Sequence, residues 1–109
     1  MVRQFEQRLF FESIDESWEN NFFLLQSIGE YEVCLRFLDR VSSESRFSQA
    51  KIDYLRASIY KEQGLFGKAL KLIGKSKNNL TVTPEELEGL NILQSQVESL
   101  ELESTRGMK

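Results

Sequence analysis

Apolar side chains recur along most of this chain at steps of three and four, the spacing that gathers them on one face of an α-helix. Trp18, Phe22, Leu25 and Ile28 make the first such stripe. Ser13-Ile14-Asp15-Glu16 ahead of it has the form of a capping box, and Gly29 behind it supplies the left-handed residue that ends a helix. Tyr31, Cys34, Leu35, Leu38 and Val41 form a second stripe, which the polar stretch 42–45 should terminate. A third helix is predicted over about residues 48–63. It carries Ile52, Leu55 and Ile59 on one side and Ala57 and Tyr60 on an adjacent one, a width suited to packing between two neighbours. Gly64 closes it. A fourth, from Phe66 to about Ile73, is expected to stop at Gly74 and the polar run behind it. The fifth has the fullest start signal, with Thr83 as N-cap, Pro84 at the first helical position and Glu86 completing a capping box. It is predicted to reach about Glu103, with Leu87, Leu90, Leu93, Val97 and Leu100 as an apolar seam. Val2, Phe5 and Leu9 also fall at helical spacing and predict a short N-terminal helix, although Arg8-Leu9-Phe10-Phe11 reads almost as well as an extended strip.

The punctuation repeats. Gly29-x-Tyr31-x-x-Cys34-Leu35-x-x-Leu38 returns 35 residues later as Gly64-x-Phe66-x-x-Ala69-Leu70-x-x-Ile73. A helix-turn-helix unit recurring at this period is the mark of a tetratricopeptide-like solenoid, in which stacked helical hairpins share a continuous core. The expected fold is therefore all-α, an antiparallel helical-hairpin solenoid of about two repeats plus a C-terminal capping helix. In this reading residues 1–109 form a single helical-repeat domain. Its parts are an N-terminal segment (1–12), repeat 1 (13–42), repeat 2 (46–78) and the capping helix (83–104). Superposing the two turns assigns packing roles to Trp18, Phe22, Leu25, Gly29, Tyr31, Cys34 and Leu38 in the first repeat. Ala57, Tyr60, Gly64, Phe66, Ala69 and Ile73 take them in the second. Small residues at Cys34 and Ala69 let paired backbones approach closely. The match is poor at the start of the first helices, where Asp53 stands opposite Trp18.

Composition removes most chemistry. The chain has no histidine, the commonest general base and metal ligand, and one cysteine, Cys34, at a helix-packing position. No catalytic dyad, metal site or cofactor site is expected, and the protein is read as a non-enzyme. Carboxylate pairs such as Glu85/Glu86 stand in first helical turns, where they complement the helix dipole. The longest apolar runs, Phe22–Leu25 and Leu9–Phe11, are far short of the roughly 18 residues a membrane span needs, and the N-terminus lacks a signal-peptide core. A cytoplasmic protein without a membrane span is the expectation.

The net charge of −3 conceals a division: residues 1–50 carry five basic and nine acidic side chains, 51–79 seven and two, 80–109 two and six. Facing helices are expected to neutralise one another, because the excess is small and spread over several faces. The basic middle with Tyr54 and Tyr60 nearby is the one feature that suggests nucleic acid. The negative total and the absence of clustered arginines argue against it.

In a stack of hairpins the first helix of each unit lines the inner curve. Residues just off the packing stripe should face that curve: Glu19, Phe23 and Gln26 on one helix, Tyr54, Ser58 and Lys61 on the next, with Leu90 and Leu93 from the last. Phe23 and Tyr54 are the candidate anchors for a partner helix. Phe23 has a second place open to it, under the N-terminal segment.

The run Gly29-Glu30-Tyr31-Glu32-Val33-Cys34-Leu35-Arg36-Phe37-Leu38, followed by Ala50-Lys51-Ile52-Asp53-Tyr54-Leu55-Arg56-Ala57-Ser58-Ile59-Tyr60-Lys61-Glu62-Gln63-Gly64-Leu65-Phe66-Gly67-Lys68-Ala69-Leu70, resembles the small tetratricopeptide-fold chaperones of bacterial type III secretion needle subunits. The resemblance spans about residues 18–73. It implies a cytoplasmic export chaperone that sequesters the C-terminal amphipathic helix of a self-assembling needle protein in its concave groove, with a small helical co-chaperone completing the complex. The segment through Phe11 and the part beyond Asn78 depart from that family's pattern. Within the same fold the alternatives are a protein-protein adaptor or regulatory scaffold, and a homodimer built on the Leu87–Leu100 seam.

Overall fold

A computed structural model describes residues 17–44 and 46–107, and these are helical throughout apart from short connections. The helices are α1 (Trp18–Ser27), α2 (Tyr31–Ser42), α3 (Gln49–Glu62), α4 (Phe66–Lys77) and α5 (Pro84–Gly107). The chain divides into two compact units, Met1–Phe47 and Ser48–Lys109. The segment 1–12 and the expected capping box Ser13–Glu16 lie outside the described residues.

The first unit holds the α1/α2 hairpin. Gly29 turns the chain with φ at +78°, a conformation that costs a side chain with a Cβ about 1 kcal/mol or more. The Glu30 amide donates to the Leu25 carbonyl and the Gly29 amide to that of Gln26, both at 3.1 Å, which is the Schellman closure of a helix C-terminus. The core is aromatic. Trp18, Phe22 and Leu25 of α1 are buried with Val33, Cys34, Phe37, Leu38 and Val41 of α2. The Trp18 ring meets Phe37 and Phe47 edge-to-face at centroid distances of 6.4 and 5.8 Å. Ile28, expected on the buried stripe, is 55% exposed, because the helix ends at Ser27 and the chain has begun to turn away.

The second unit repeats the turn. Gly64 also has φ at +78°, the Leu65 amide donates to the Tyr60 carbonyl (2.8 Å) and the Gly64 amide to that of Lys61 (3.1 Å). The residue leading into each following helix has nearly the same backbone angles, φ −82° and ψ 64° at Glu30 and φ −91° and ψ 65° at Leu65. The 35-residue recurrence in the sequence is thus a recurrence of one turn geometry.

Three helices share the second core, in which Ala57, Ala69, Ile73, Leu90, Leu93 and Val97 form one cluster. The helix α4 runs on through Gly74 to Lys77, about one turn past its expected end. Gly74 lacks the positive φ of a terminating glycine, and continuing the helix buries Ser76. The start of α5 follows the sequence: the Glu86 amide donates to Thr83 Oγ1 (3.1 Å) and the Thr83 amide to Glu86 Oε1 (3.0 Å). It continues beyond Glu103 to Gly107. Of its seam, Leu90, Leu93 and Val97 are buried, whereas Leu87 and Leu100 are 37% and 39% exposed.

Two contacts give the direction of α3 relative to α5. Near their N-termini Ser48 Oγ donates to Glu86 Oε2, and near the C-terminus of α3 Lys61 Nζ donates to Gln96 Oε1 (3.3 Å). The two helices therefore run side by side in the same sense. The short Gln63–Leu65 connection sends α4 back antiparallel to α3, and α4 is joined to α5 by the Lys77–Gln94 bond (2.8 Å). No helix among the described residues is long and apolar enough to cross a membrane.

Candidate partner-binding furrow

The seam between α3 and α5 carries a depression near each end of α3. Near the helix starts is a notch of about 180 Å³ lined by Ala50, Lys51, Tyr54, Glu86 and Gly89. Near the end of α3 is a shallower hollow of about 510 Å³ lined by Lys61, Ser95, Gln96, Ser99 and Leu100. Tyr54, Ser58 and Lys61 stand at i, i+4 and i+7, so all three look toward this seam from one face of α3.

The notch exists because of small residues. Ala50 contributes only a methyl group, and Gly89 none. A Cβ placed on Gly89 would sit 3.7 Å from Tyr54 Cε2, so the tyrosine ring forms the facing wall. At the rim, Glu86 closes its own capping box and accepts from the N-cap serine of α3. The Ser48 hydroxyl, with the Thr83 amide and hydroxyl and the Lys51 charge, holds the Glu86 carboxyl below the usual carboxylate range, against a smaller opposing effect of burial. One carboxylate thus ties together the N-termini of the two helices that flank the notch.

The eight residues expected on an inner curve fare differently. On α1, Glu19 and Gln26 are half-buried and Phe23 is 48% exposed, with its ring edge-on to Phe22 at 5.6 Å. Its neighbours Leu24 and Ile28 are exposed as well. On α3, Tyr54 and Lys61 line the two depressions. Ser58 is almost buried, and its hydroxyl donates to the Tyr54 carbonyl (3.0 Å), which leaves no donor for a partner. Leu90 and Leu93 do not line a groove. Each is 1% exposed, inside the core beneath the seam, because α4 and α3 both pack on that face of α5. Of the residues lining the furrow, only Tyr54 and Lys61 are among those expected on the inner curve; Ala50, Lys51, Glu86 and Gly89 at the notch and Ser95, Gln96, Ser99 and Leu100 at the hollow are not. Only Gly89 carried a signal, as a glycine inside an otherwise unbroken helical pattern.

The residues given packing roles are covered more uniformly. Trp18, Phe22, Leu25, Cys34, Leu38, Ala57, Ala69 and Ile73 are buried, Tyr31, Tyr60 and Phe66 are half-buried, and Gly29 and Gly64 make the turns. Asp53 is buried beside Arg56 (3.7 Å) and accepts from Gln49 Nε2 (3.0 Å), so its departure from the repeat pattern is compensated locally.

Mutual neutralisation of the helices is not what α4 shows. Lys68, Lys71 and Lys75 lie on its exposed face without an ion pair to any described residue, and Lys68 instead lies over the Tyr60 ring at 5.7 Å. Among the described residues no group of His, Cys, Asp and Glu is placed to hold a metal ion. Comparison with family models, curated proteins and solved structures finds no match for the chain.

Proposed function

We propose that this protein is a non-enzymatic, cytoplasmic chaperone of tetratricopeptide-like build that holds an amphipathic helix of a self-assembling partner. The observation that carries the reading is the α3/α5 furrow, an open seam with an apolar notch in its floor. The order of elements agrees with it: α3 acts as the first helix of a repeat, α4 as the second, and α5 as the first helix of the next, parallel to α3. The twin Schellman turns at Gly29 and Gly64 supply the repeated hairpin. A helix that drives self-assembly must be covered until it is needed, and burying one aliphatic side chain contributes about 1.5 to 3 kcal/mol. The resemblance of residues 18–73 to needle-subunit chaperones makes the C-terminal helix of a secretion needle protein the first partner to try, together with a small helical co-chaperone.

The test is co-expression with such a needle protein. A soluble one-to-one complex whose melting temperature rises with peptide concentration supports the proposal, since a ligand that binds only the folded state stabilises it by mass action. A needle protein that aggregates at the same rate with and without this chain sinks it. An adaptor that joins two proteins is the second reading, and the unpaired lysine face of α4, on the far side of that helix from its buried Ala69 and Ile73, is what favours it.

A further inference from the structure

Gly89 lies well inside α5, where glycine is a poor helix former, and it has neither a positive φ nor a close backbone neighbour to require it. A Cβ there would meet Tyr54 at ordinary contact distance, so the fold would accept alanine. Gly67 and Gly74 also have nothing within 4 Å of such a Cβ, but they open onto solvent, whereas Gly89 opens into the notch. What the missing side chain accomplishes is to keep a space of about 180 Å³ unfilled between Ala50 and the Tyr54 ring.

Among the described residues the notch is lined by one charge of each sign, Lys51 and Glu86, with Glu85 and Glu88 next to its lining in the first turns of α5. The charged residue among the described lining of the distal hollow is Lys61, with Glu62 and Glu98 next to that lining along the chain. The positive dipole ends of α3 and α5 both lie at the notch, since the two helices are parallel. A helix laid in the furrow meets the most favourable field with its carbonyl end at the notch. Its own terminal charges then match as well, because basic side chains favour a last turn and acidic ones a first turn.

Resting on the proposed helix-holding role, we infer that the Gly89 notch is the anchor pocket for one leucine- or methionine-sized side chain of the partner helix. That helix lies antiparallel to α3 and α5, with its basic C-terminal turn by Glu85 and Glu88 and its acidic N-terminal turn by Lys61. Gly89→Leu fills the pocket from within, and Gly89→Ala fills it in part.

The probe is a synthetic amphipathic peptide of about five turns, acidic at its start, basic at its end and leucine-rich on one face. Peptide affinity is read by fluorescence anisotropy, with helical content of each variant checked by circular dichroism. Gly89→Leu should weaken binding about tenfold or more and Gly89→Ala by a smaller factor, with folding intact. Equal affinity for wild type and Gly89→Leu overturns the pocket while leaving helix holding in place, and failure of the wild type to bind any such peptide overturns both. For direction, a peptide with an N-terminal cysteine should form a disulfide with Ser99→Cys and one with a C-terminal cysteine with Lys51→Cys. The opposite pairing overturns the orientation.

Discussion

The two units turn their chains alike and pack them differently. At Gly29 and Gly64 the backbone closes with the same pair of hydrogen bonds and the same positive φ. Inside, the first unit buries large rings, Trp18, Phe22 and Phe37, and still leaves Phe23 and Leu24 of α1 and Ile28 just behind it about half exposed. The second fills its centre with Ala57, Ala69, Ile73, Leu90, Leu93 and Val97. In the second unit α3, α4 and α5 enclose an interior in which small residues bring the backbones close and aliphatics fill what remains. What recurs at 35 residues is therefore the turn and the small residue that follows it, while the described parts of the two cores are filled differently.

Breaking the cores should show the largest effect. Phe37→Ala removes a buried ring that meets Trp18 edge-to-face and is expected to cost about 3 to 5 kcal/mol. Ile73→Val in the second unit should cost only about 0.5 to 1.5 kcal/mol. Denaturant titration can follow the two separately, since Trp18 is the sole tryptophan and reports on the first unit, while circular dichroism reports on both. Equal costs would undo the contrast between an aromatic and an aliphatic core.

The turns supply the next test, with the opposite expectation. Gly29→Ala and Gly64→Ala should each destabilise by about 1 to 2 kcal/mol, and by similar amounts, because both force a Cβ into a left-handed conformation in which nothing else is crowded. A large disparity in denaturation midpoints would mean that the two turns are alike in shape alone.

Smaller still are two changes confined to the second unit that should raise stability. Ser76 is 2% exposed and its hydroxyl has no hydrogen-bond partner, so Ser76→Ala is expected to gain about 1 kcal/mol. Gly89→Ala should gain about 0.5 to 1 kcal/mol through helix propensity alone, readable as a rise in melting temperature. A loss at Gly89 would show that the notch cannot take even a methyl group.

The smallest effect concerns pH. Glu86 has its folded pKa lowered, chiefly by the Ser48 hydroxyl, so its contribution is complete above the unfolded carboxylate value of about 4.3 and fades as pH falls through the folded one. Melting temperatures at neutral pH and near pH 3.5 should differ less in Glu86→Gln than in wild type. An unchanged acid sensitivity would show that other carboxylates govern it.

Helix positions were largely legible, for a local reason. A stripe of apolar residues, a left-handed glycine and a Thr-Pro-x-Glu capping box act within a few residues of one another. The overrun of α4 escaped because Gly74 reads as a terminator until Ser76 and Ile73 are seen to be covered by neighbours. The furrow was half legible: spacing puts Tyr54 and Lys61 on the face of α3 that borders it, but spacing cannot tell which side of α5 is roofed. Leu90 and Leu93 were therefore placed in the open when they are at the centre.

From its order of residues alone this chain determined its helices, its two glycine turns and its lack of catalytic histidine chemistry, because each rests on covalent geometry or on partners close in sequence. Only tertiary packing decided that α3 and α5 run parallel, that one carboxylate bridges their N-termini, and that a glycine leaves a notch between them. A cavity is defined by what surrounds an absent side chain, and here those surroundings come from residues 35 or more positions apart, Tyr54 and Gly89 or Lys61 and Gln96.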